Sequence, residues 1–200
     1  MNVLCRNLLL GVTGSISALS VPAYVAFLKR GLVGRIRVIQ TKSAIEIIPP
    51  ATIQAYTGEP VFTDTFAMTS DYYVPHIQLT READIFLVMP TSANMIAKIA
   101  NGIADDLLST SILASPQPVV IVPCMNGNMW FNQALQDNVA AARKRGHIVI
   151  EPVWGIEIAD SEPTFGVMPP LEAIIGVLAD TLKQRRSATP QVEQFSLDAE

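Results

Sequence analysis

The 200 residues carry a formal net charge of -4, so the chain lacks the basic excess that is typical of nucleic-acid-binding proteins. Half of the residues are hydrophobic, yet no apolar run reaches the roughly 18 residues that a membrane span needs. This length fits one domain, and the apolar composition predicts an oligomer that hides part of its surface. The only cysteines are Cys5 and Cys124, which predicts no disulfide framework and favours a reducing, cytoplasmic location.

The first predicted element is a strand over residues 8–11, and a helix follows over about residues 18–29. Between them lies the turn Gly-Val-Thr-Gly-Ser-Ile-Ser at residues 11–17. Glycines let a phosphate approach the backbone, while hydroxyls, backbone N–H groups and a helix N-terminus supply hydrogen-bond donors. The turn lacks a P-loop lysine and the third glycine of a dinucleotide fingerprint. It therefore fits an anion cradle and a plain strand-to-helix turn equally well.

A second strand is predicted over residues 35–41, and Thr41 or Ser43 is a suitable N-cap for the helix that follows. After a short helix over residues 51–56, residues 57–73 show no clear periodicity, and a loop of this length is usually functional. His76 stands at the end of that loop. Its imidazole can exchange protons near neutral pH, although a lone histidine is more often structural than catalytic.

A buried strand over residues 85–89 ends in Pro-Thr-Ser-Ala-Asn at residues 90–94, and a helix follows over residues 95–101. The adjacent Asp105 and Asp106 are predicted to point to different sides of a helix, so they form neither a metal site nor an acid/base pair. We expect Asp106 to cap a helix or to form an ion pair. No metal site is predicted anywhere in the chain.

Another apolar strand, over residues 118–122, leads into the loop Pro-Cys-Met-Asn-Gly-Asn-Met-Trp at residues 123–130. Open α/β sheets bind ligands at the carboxyl ends of their strands, which is where this loop lies. The amide of Asn126 can donate and accept hydrogen bonds, while Met125 and Met129 offer apolar surface to a flat ring. The loop is therefore predicted to hold a planar ligand with polar edges. Its cysteine has apolar neighbours and no flanking base, so a buried neutral thiol is expected rather than a nucleophile.

The remaining stretches are a helix over residues 132–145, a strand over 147–153, an irregular segment over 154–170, a helix over 171–183 and a polar, disordered tail over 184–200. Strands that alternate with helices predict one α/β domain over residues 1–183. We expect a Rossmann-like (flavodoxin-like) fold whose parallel sheet is covered by helices on both faces. The loops that follow the first, third and fourth predicted strands should converge on one crevice.

The pattern Pro-x-Met-Asn-x-x-Met-Trp at residues 123–130 resembles the signature of the flavin-containing cysteine decarboxylases. This family includes phosphopantothenoylcysteine decarboxylase and the peptidyl-cysteine decarboxylases of lanthipeptide-type biosynthesis. Residues 11–17, the segment around His76 and residues 90–94 resemble further family segments in the same order. The resemblance implies a homo-oligomer, a trimer with flavin at the subunit interface that can assemble into dodecamers. FMN is the expected cofactor and FAD the alternative, since no acidic residue is placed for an adenine ribose.

The resemblance also implies a role for individual residues. His76 is implied as the catalytic base, and Asn126 as the catalytic group that binds the cysteine carboxylate. Met129 and Met168 are implied to contact the substrate. The residues implied to bind the flavin are Gly11, Thr13, Gly14, Ser15, Ser17, Thr41, Ser43, Thr91, Ser92, Ala93, Asn94 and Met125.

Two positions distinguish the branches of the family. The coenzyme A branch carries a segment like Ala-Cys-Gly…Gly-Arg-Met, whose cysteine protonates an enethiol, but this chain has Asp160 and Val167 at the Cys and Arg places. The resemblance then implies oxidative decarboxylation of the C-terminal cysteine of a precursor peptide, with residues 154–170 as a clamp over the substrate. The enethiol product could cyclise to an aminovinyl-cysteine.

Three alternatives remain at this point. The first is phosphopantothenoylcysteine decarboxylase of coenzyme A biosynthesis, and the second is a flavin prenyltransferase of related fold. The third is a flavin-binding regulatory subunit without catalytic activity. Such a subunit would be expected to lack His76 or Asn126, and both residues are present.

Overall fold

The computed structural model describes residues 3–66, 72–158 and 161–188. Its main sheet is parallel, with the strand order β3-β2-β1-β4-β5-β6. The strands are β1 (Cys5–Val12), β2 (Val33–Gln40), β3 (Val61–Phe62), β4 (Ile85–Thr91), β5 (Val119–Pro123) and β6 (Ile148–Val149). The predicted parallel α/β sheet is confirmed.

Helices cover both faces of this sheet, as predicted. They are α1 (Val21–Lys29), α2 (Lys42–Ile47), α3 (Pro50–Thr57), α4 (Pro75–Glu82), α5 (Ala93–Asn101), α6 (Leu107–Ala114), α7 (Gly127–Trp130), α8 (Gln133–Lys144) and α9 (Leu171–Ala188). A 3-10 turn, Ile16–Ser20, precedes α1. Among the described helices, none combines the length and the apolar character that a membrane crossing requires.

Two buried clusters lie on opposite faces of the sheet because successive strand residues point to opposite sides. Leu8 and Leu10 of β1 pack into the cluster that includes residues of α1, α3 and α9, while Leu9 packs into the one that includes residues of α4, α5, α6 and α8. The central strand β4 is buried along its whole length. Replacing one of these leucines by alanine would lower the free energy of unfolding by about 2–5 kcal/mol.

Three helices lie where the sequence pattern predicts none, namely α4, α6 and the four-residue α7 within the predicted loop at residues 123–130. Pro75 begins α4, a position at which its missing N–H costs no hydrogen bond. Asp106 caps α6 in a reciprocal pair with Ser109, since Asp106 Oδ1 accepts from the Ser109 N–H at 2.8 Å and Ser109 Oγ accepts from the Asp106 N–H at 3.1 Å. The capping role predicted for Asp106 is therefore confirmed.

The segment predicted to be irregular contains an antiparallel hairpin of two strands, β7 (Val153–Ile156) and β8 (Pro163–Val167). The main sheet takes only the two residues of β6 from the strand predicted over residues 147–153. The last helix, α9, continues to Ala188 instead of ending at residue 183. Residues 189–200 of the predicted tail, and Asp160 of the hairpin, lie outside the described residues.

Candidate functional site

The loops after β1, β4 and β5 meet at the carboxyl edge of the sheet, because these three strands are neighbours. The buried Thr13 hydroxyl donates to the Pro90 carbonyl oxygen and accepts from the Ser92 N–H, both at 2.8 Å. The Cys124 N–H donates to the Thr91 carbonyl oxygen at 3.1 Å. The predicted convergence of three strand-end loops is therefore confirmed.

Two serines of the loop after β1 contact Cys124 in the loop after β5. The Ser15 hydroxyl donates to the Cys124 carbonyl oxygen at 3.1 Å, and Ser17 Oγ lies 2.9 Å from Cys124 Sγ. Cys124 is buried, which confirms the expectation of a buried thiol. The loop at residues 11–17 thus forms a ridge with a cavity on each side.

The cavity on one side, which we call the hydroxyl-lined cavity, has a volume of about 400 Å³. Thr41 and Ser92 are the N-caps of α2 and α5, and they accept from the N–H groups of Ala44 and Met95. The N-terminus of a helix favours an anion. The lining of the hydroxyl-lined cavity includes seven of the residues implied to bind flavin, namely Thr13, Gly14, Thr41, Ser43, Ser92, Ala93 and Asn94.

A triad of charges forms part of the wall of this cavity. Lys98 Nζ lies 2.6 Å from Asp105 Oδ1 and 2.6 Å from Asp106 Oδ2. The two aspartates therefore converge on one lysine, and the prediction that they point to different sides is wrong, because both precede α6 or cap it. Burial alone would lower the pKa of Lys98, but its hydrogen bonds to the two carboxylates outweigh that effect and raise the pKa. Lys98 stays a cation.

On the other side of the ridge is a second cavity of about 270 Å³, which we call the hairpin cavity. It lies between the 3-10 turn, the loop after β5 and the β7–β8 hairpin. Five residues predicted for the site line it: Ser15, Ser17, Met125, Asn126 and Met168. The substrate role implied for Asn126 and Met168 requires them to share one cavity, and they do.

Backbone contacts dock the hairpin onto the loop after β5. The Met125 N–H donates to the Gly166 carbonyl oxygen at 3.0 Å, and the Gly127 N–H donates to Thr164 Oγ1 at 3.1 Å. Phe165 stacks on Phe131 with a ring-centroid distance of 5.5 Å. The hairpin thus forms one wall of the hairpin cavity, where the clamp is predicted.

Asn126 has one hydrogen-bonding group engaged and one available. It is the N-cap of α7, and its Oδ1 accepts from the Met129 N–H at 2.9 Å. Its Nδ2 donates to no group that the structure describes. The fixed Oδ1 orients two amide N–H donors in the hairpin cavity, an arrangement suited to binding a carboxylate.

Two residues implied to bind flavin face the protein interior instead. A Cβ on Gly11 would lie 2.5 Å from Leu108 Cδ1, so the missing side chain makes room for α6 and not for a ligand. Thr91 is fully buried, and its hydroxyl donates to the Val88 carbonyl oxygen at 2.6 Å. At these two positions packing within the domain uses the side-chain space, so the implied contact with flavin stays a prediction that only the backbone could fulfil.

His76 and Met129 are placed apart from the substrate residues. His76 is the second residue of α4 and lines neither cavity, and its Nδ1 is buried without a hydrogen-bond partner among the described residues. Met129 lines the hydroxyl-lined cavity, not the hairpin cavity that holds Asn126 and Met168. Within one chain, therefore, the base implied by the resemblance does not reach the cavity where the carboxylate would bind.

Sequence reasoning missed part of the hairpin cavity, including Tyr24, Glu157 and Thr164. The hairpin itself carries a detectable signal. Residues 153–158 read Val-Trp-Gly-Ile-Glu-Ile, residues 163–167 follow four residues later, and the intervening turn contains Asp and Ser. Two β-rich runs separated by turn residues are typical of a hairpin.

The chain is similar in sequence to several known proteins. The family model described as "Flavoprotein" matches residues 3–183. The chain is 38% identical to the coenzyme A biosynthesis bifunctional protein CoaBC of Mycobacterium tuberculosis, over 92% of this chain but only 43% of that protein. It is 34% identical to mersacidin decarboxylase from Bacillus sp. strain HIL-Y85/54728, over 86% of this chain and 89% of that protein.

A solved structure extends the likeness to three dimensions. The FMN-dependent cysteine decarboxylase SpaF superposes with a TM-score of 0.77 at 35% identity, over 90% of this chain and 97% of that one. The residues that match the family model include the sheet, the ridge and the hairpin. The chain therefore belongs to the flavoprotein family, and within it to the flavin-containing cysteine decarboxylases.

Proposed function

We propose that this chain is an FMN-dependent decarboxylase that converts the C-terminal cysteine of a precursor peptide to an enethiol. The observation that carries the proposal is Asn126, whose Nδ2 is available in the hairpin cavity while its Oδ1 is held by α7. Mersacidin decarboxylase and the FMN-dependent cysteine decarboxylase SpaF resemble the chain over most of their own length.

The hydroxyl-lined cavity fits the phosphate of FMN. Its donors are hydroxyls and an amide, from Ser43, Ser92 and Asn94, and Lys42 adds a positive charge. The N-terminus of α5 lies at the same wall, and its backbone N–H groups and dipole favour an anion. Ser43, Ser92 and Asn94 would therefore hold the phosphate, with Lys42 as counter-charge.

The residues of the hairpin cavity would position the substrate. Bound FMN supplies the two-electron oxidation of the cysteine side chain to a thioaldehyde. Asn126 donates two N–H bonds to the cysteine carboxylate, and Met125 and Met168 form an apolar wall beside it. Loss of carbon dioxide then leaves an electron pair that delocalises onto sulfur as an enethiolate. Orientation of the carboxylate by Asn126 is the contribution of the chain to this step.

A role for His76 as the base requires more than one copy of the chain, since His76 lines neither cavity of its own. We therefore include a homo-oligomer in the proposal, in which His76 of one copy acts on the substrate held by another. A trimer with the flavin at the subunit interface, able to form a dodecamer, is what the family resemblance implies. Exposed apolar side chains such as Ile103, Leu113 and Phe66 support an interface between copies.

Phosphopantothenoylcysteine decarboxylase is the second candidate, because CoaBC is 38% identical to the chain. Two sequence features weigh against it. The chain has only Cys5 and Cys124, so the hairpin offers no cysteine to protonate an enethiol. In addition, Val167 of β8 lines the hairpin cavity where that branch carries an arginine. A regulatory role without catalysis is disfavoured by the presence of both His76 and Asn126.

The proposal is tested by mixing FMN-loaded protein with a peptide that ends in cysteine, in the absence of oxygen. Transfer of two electrons should bleach the visible absorbance of the flavin, and admission of air should restore it. The matched control is the same peptide ending in serine, which cannot form a thioaldehyde and should leave the absorbance unchanged. Failure of every peptide ending in cysteine to bleach the flavin would contradict the proposed function.

A further inference from the structure

The hairpin cavity contains one charged side chain among the residues that the structure describes, and it is the carboxylate of Glu157. The mechanism proposed above does not use this residue. Glu157 follows β7 and is held by its backbone, whose N–H donates to the Glu162 carbonyl oxygen at 2.8 Å. No described residue forms an ion pair with it. A carboxylate thus stands in the wall of a substrate cavity without a counter-charge from the described part of the chain.

The chain around this cavity is acidic over a long stretch. Residues 146–182 contain no lysine or arginine, and they contain six acidic residues: Glu151, Glu157, Asp160, Glu162, Glu172 and Asp180. Burial raises the pKa of Tyr24, which lines the cavity, and the negative charge of Glu172 raises it further. Glu157 in the lining and Glu172 near Tyr24 are both acidic, and no described lysine or arginine lines the cavity.

We infer that Glu157 is a specificity-determining residue that favours peptides with a lysine or arginine shortly before the terminal cysteine. This inference rests on the proposed function. A basic side chain would supply the missing counter-charge, while the terminal carboxylate would bind to Asn126 in the same cavity. The same carboxylate repels an acidic or phosphorylated substrate, and repulsion of the wrong ligand is an effective source of specificity.

The expected strength of the preference for a basic peptide depends on how exposed Glu157 is, and this residue is partly buried. A partly exposed ion pair stabilises by up to about 1 kcal/mol, which corresponds to a factor of about five in kcat/KM. Replacing the substrate lysine by glutamate turns attraction into repulsion, so the two peptides should differ by about tenfold or more. Because salt screens a partly exposed charge, the difference should shrink at high ionic strength.

The experiment compares synthetic peptides that end in cysteine and carry lysine, glutamine or glutamate at one of the three preceding positions. Wild-type protein with FMN should process the lysine peptide best and the glutamate peptide worst, at one or more of these positions. Glu157→Gln should abolish the difference, and Glu157→Lys should reverse the order. The glutamine peptide reports turnover without the charge, so it should react with all three proteins.

A matched control separates a local effect from a change in net charge. Glu151→Gln removes one carboxylate from the same acidic stretch, but Glu151 pairs with Arg143 and does not line the cavity. This variant should keep the wild-type order of peptides. Equal rates for the three peptides with wild-type protein, or an unchanged order in Glu157→Lys, would overturn the inference while leaving the proposed function intact. Absence of turnover with every peptide would instead overturn both.

Discussion

The backbone of Gly14 lies against the side chain of Ser43, so that a Cβ on Gly14 would stand only 2.4 Å from the Ser43 Cβ. This contact brings the loop after β1 to the start of α2, and both residues line the hydroxyl-lined cavity. Real Cβ atoms do not approach each other this closely, so a side chain on Gly14 must push the two loops apart.

Gly14→Ala should therefore weaken FMN binding by about tenfold or more, because the displaced loops no longer present their donors together. A fluorescence titration with FMN measures the affinity. Gly176→Ala is the matched control, since Gly176 lies in α9 with no atom near its added Cβ. That variant should bind FMN normally and gain about 0.5–1 kcal/mol of stability. Equal FMN affinity in the two variants would contradict the placement of the cofactor.

The hairpin depends on a second glycine. Gly166 has a φ of 130°, and a Cβ there would lie 2.1 Å from the Met125 carbonyl oxygen. Gly166→Ala should separate the hairpin from the loop after β5 and open the hairpin cavity. We expect the KM for the peptide to rise by about tenfold while FMN affinity is kept. A loss of FMN with an unchanged KM would show that the hairpin serves the cofactor instead.

Asn126 is predicted to have two separable roles, a helix cap and a carboxylate ligand. Asn126→Asp keeps an oxygen to accept from the Met129 N–H, so its stability should stay near that of the wild type. Its second oxygen replaces the amide donors and repels the substrate carboxylate, so turnover should fall by about 10- to 100-fold or more. Asn126→Ala should lose the same turnover and also about 1 kcal/mol of stability. Stopped-flow reduction of the flavin and thermal unfolding measure the two effects.

The position of His76 predicts complementation between inactive variants. His76→Asn and Asn126→Ala should each retain only a small fraction of the wild-type activity alone. Mixed subunits should regain activity, because a site at an interface can take His76 from one chain and Asn126 from its neighbour. In a cyclic trimer mixed in equal amounts, about a quarter of the sites would be complete. Absence of activity in mixtures shown to exchange subunits would place both residues in the same chain.

Much of the fold follows from local patterns. The strands β1, β4 and β5 are continuous apolar runs, and such runs with helices between them predict a buried parallel sheet. The loops at their ends are then neighbours because of strand order, which is why the site residues on these loops could be grouped from the sequence. The caps Thr41, Ser92 and Asp106 are local as well.

The parts that could not be predicted depend on contacts between distant segments. Gly11 belongs to a glycine-rich turn, but Leu108, almost a hundred residues later, fills the space that a side chain on Gly11 would need. Over a much shorter span, Lys98 draws Asp105 and Asp106 together across a turn. No local pattern carries this information. The hairpin could have been found, since its alternation and turn residues are visible in the sequence.

The environment of His147 predicts how the folding stability of the chain changes with pH. Burial, and then the charge of Arg145, lower the pKa of His147, and its Nδ1 accepts from the Val119 N–H at 3.3 Å. The unfolded chain takes up a proton near a pH of about 6.5, whereas the folded chain resists it. Neutral His147 therefore contributes to folding stability above a pH of about 6.5. This contribution is lost as the pH falls through the pKa that His147 has in the folded chain.

The melting temperature should accordingly fall as the pH is lowered from about 8 to about 5, and His147→Gln should flatten part of that fall. Differential scanning calorimetry at several pH values measures both slopes. His76→Gln is a suitable variant to compare with His147→Gln, because it removes the other histidine of the chain and keeps His147. Identical slopes for wild type and His147→Gln would show that His147 is not the group responsible.

Mass spectrometry can show directly which substrate the protein decarboxylates, after the FMN-loaded protein is incubated in air with two substrates together. One is a peptide with lysine before a terminal cysteine, and the other is phosphopantothenoylcysteine. We expect the peptide to lose one carbon dioxide and two hydrogen atoms while the small thiol is unchanged. Loss of carbon dioxide from phosphopantothenoylcysteine, with the peptide unchanged, would contradict this expectation.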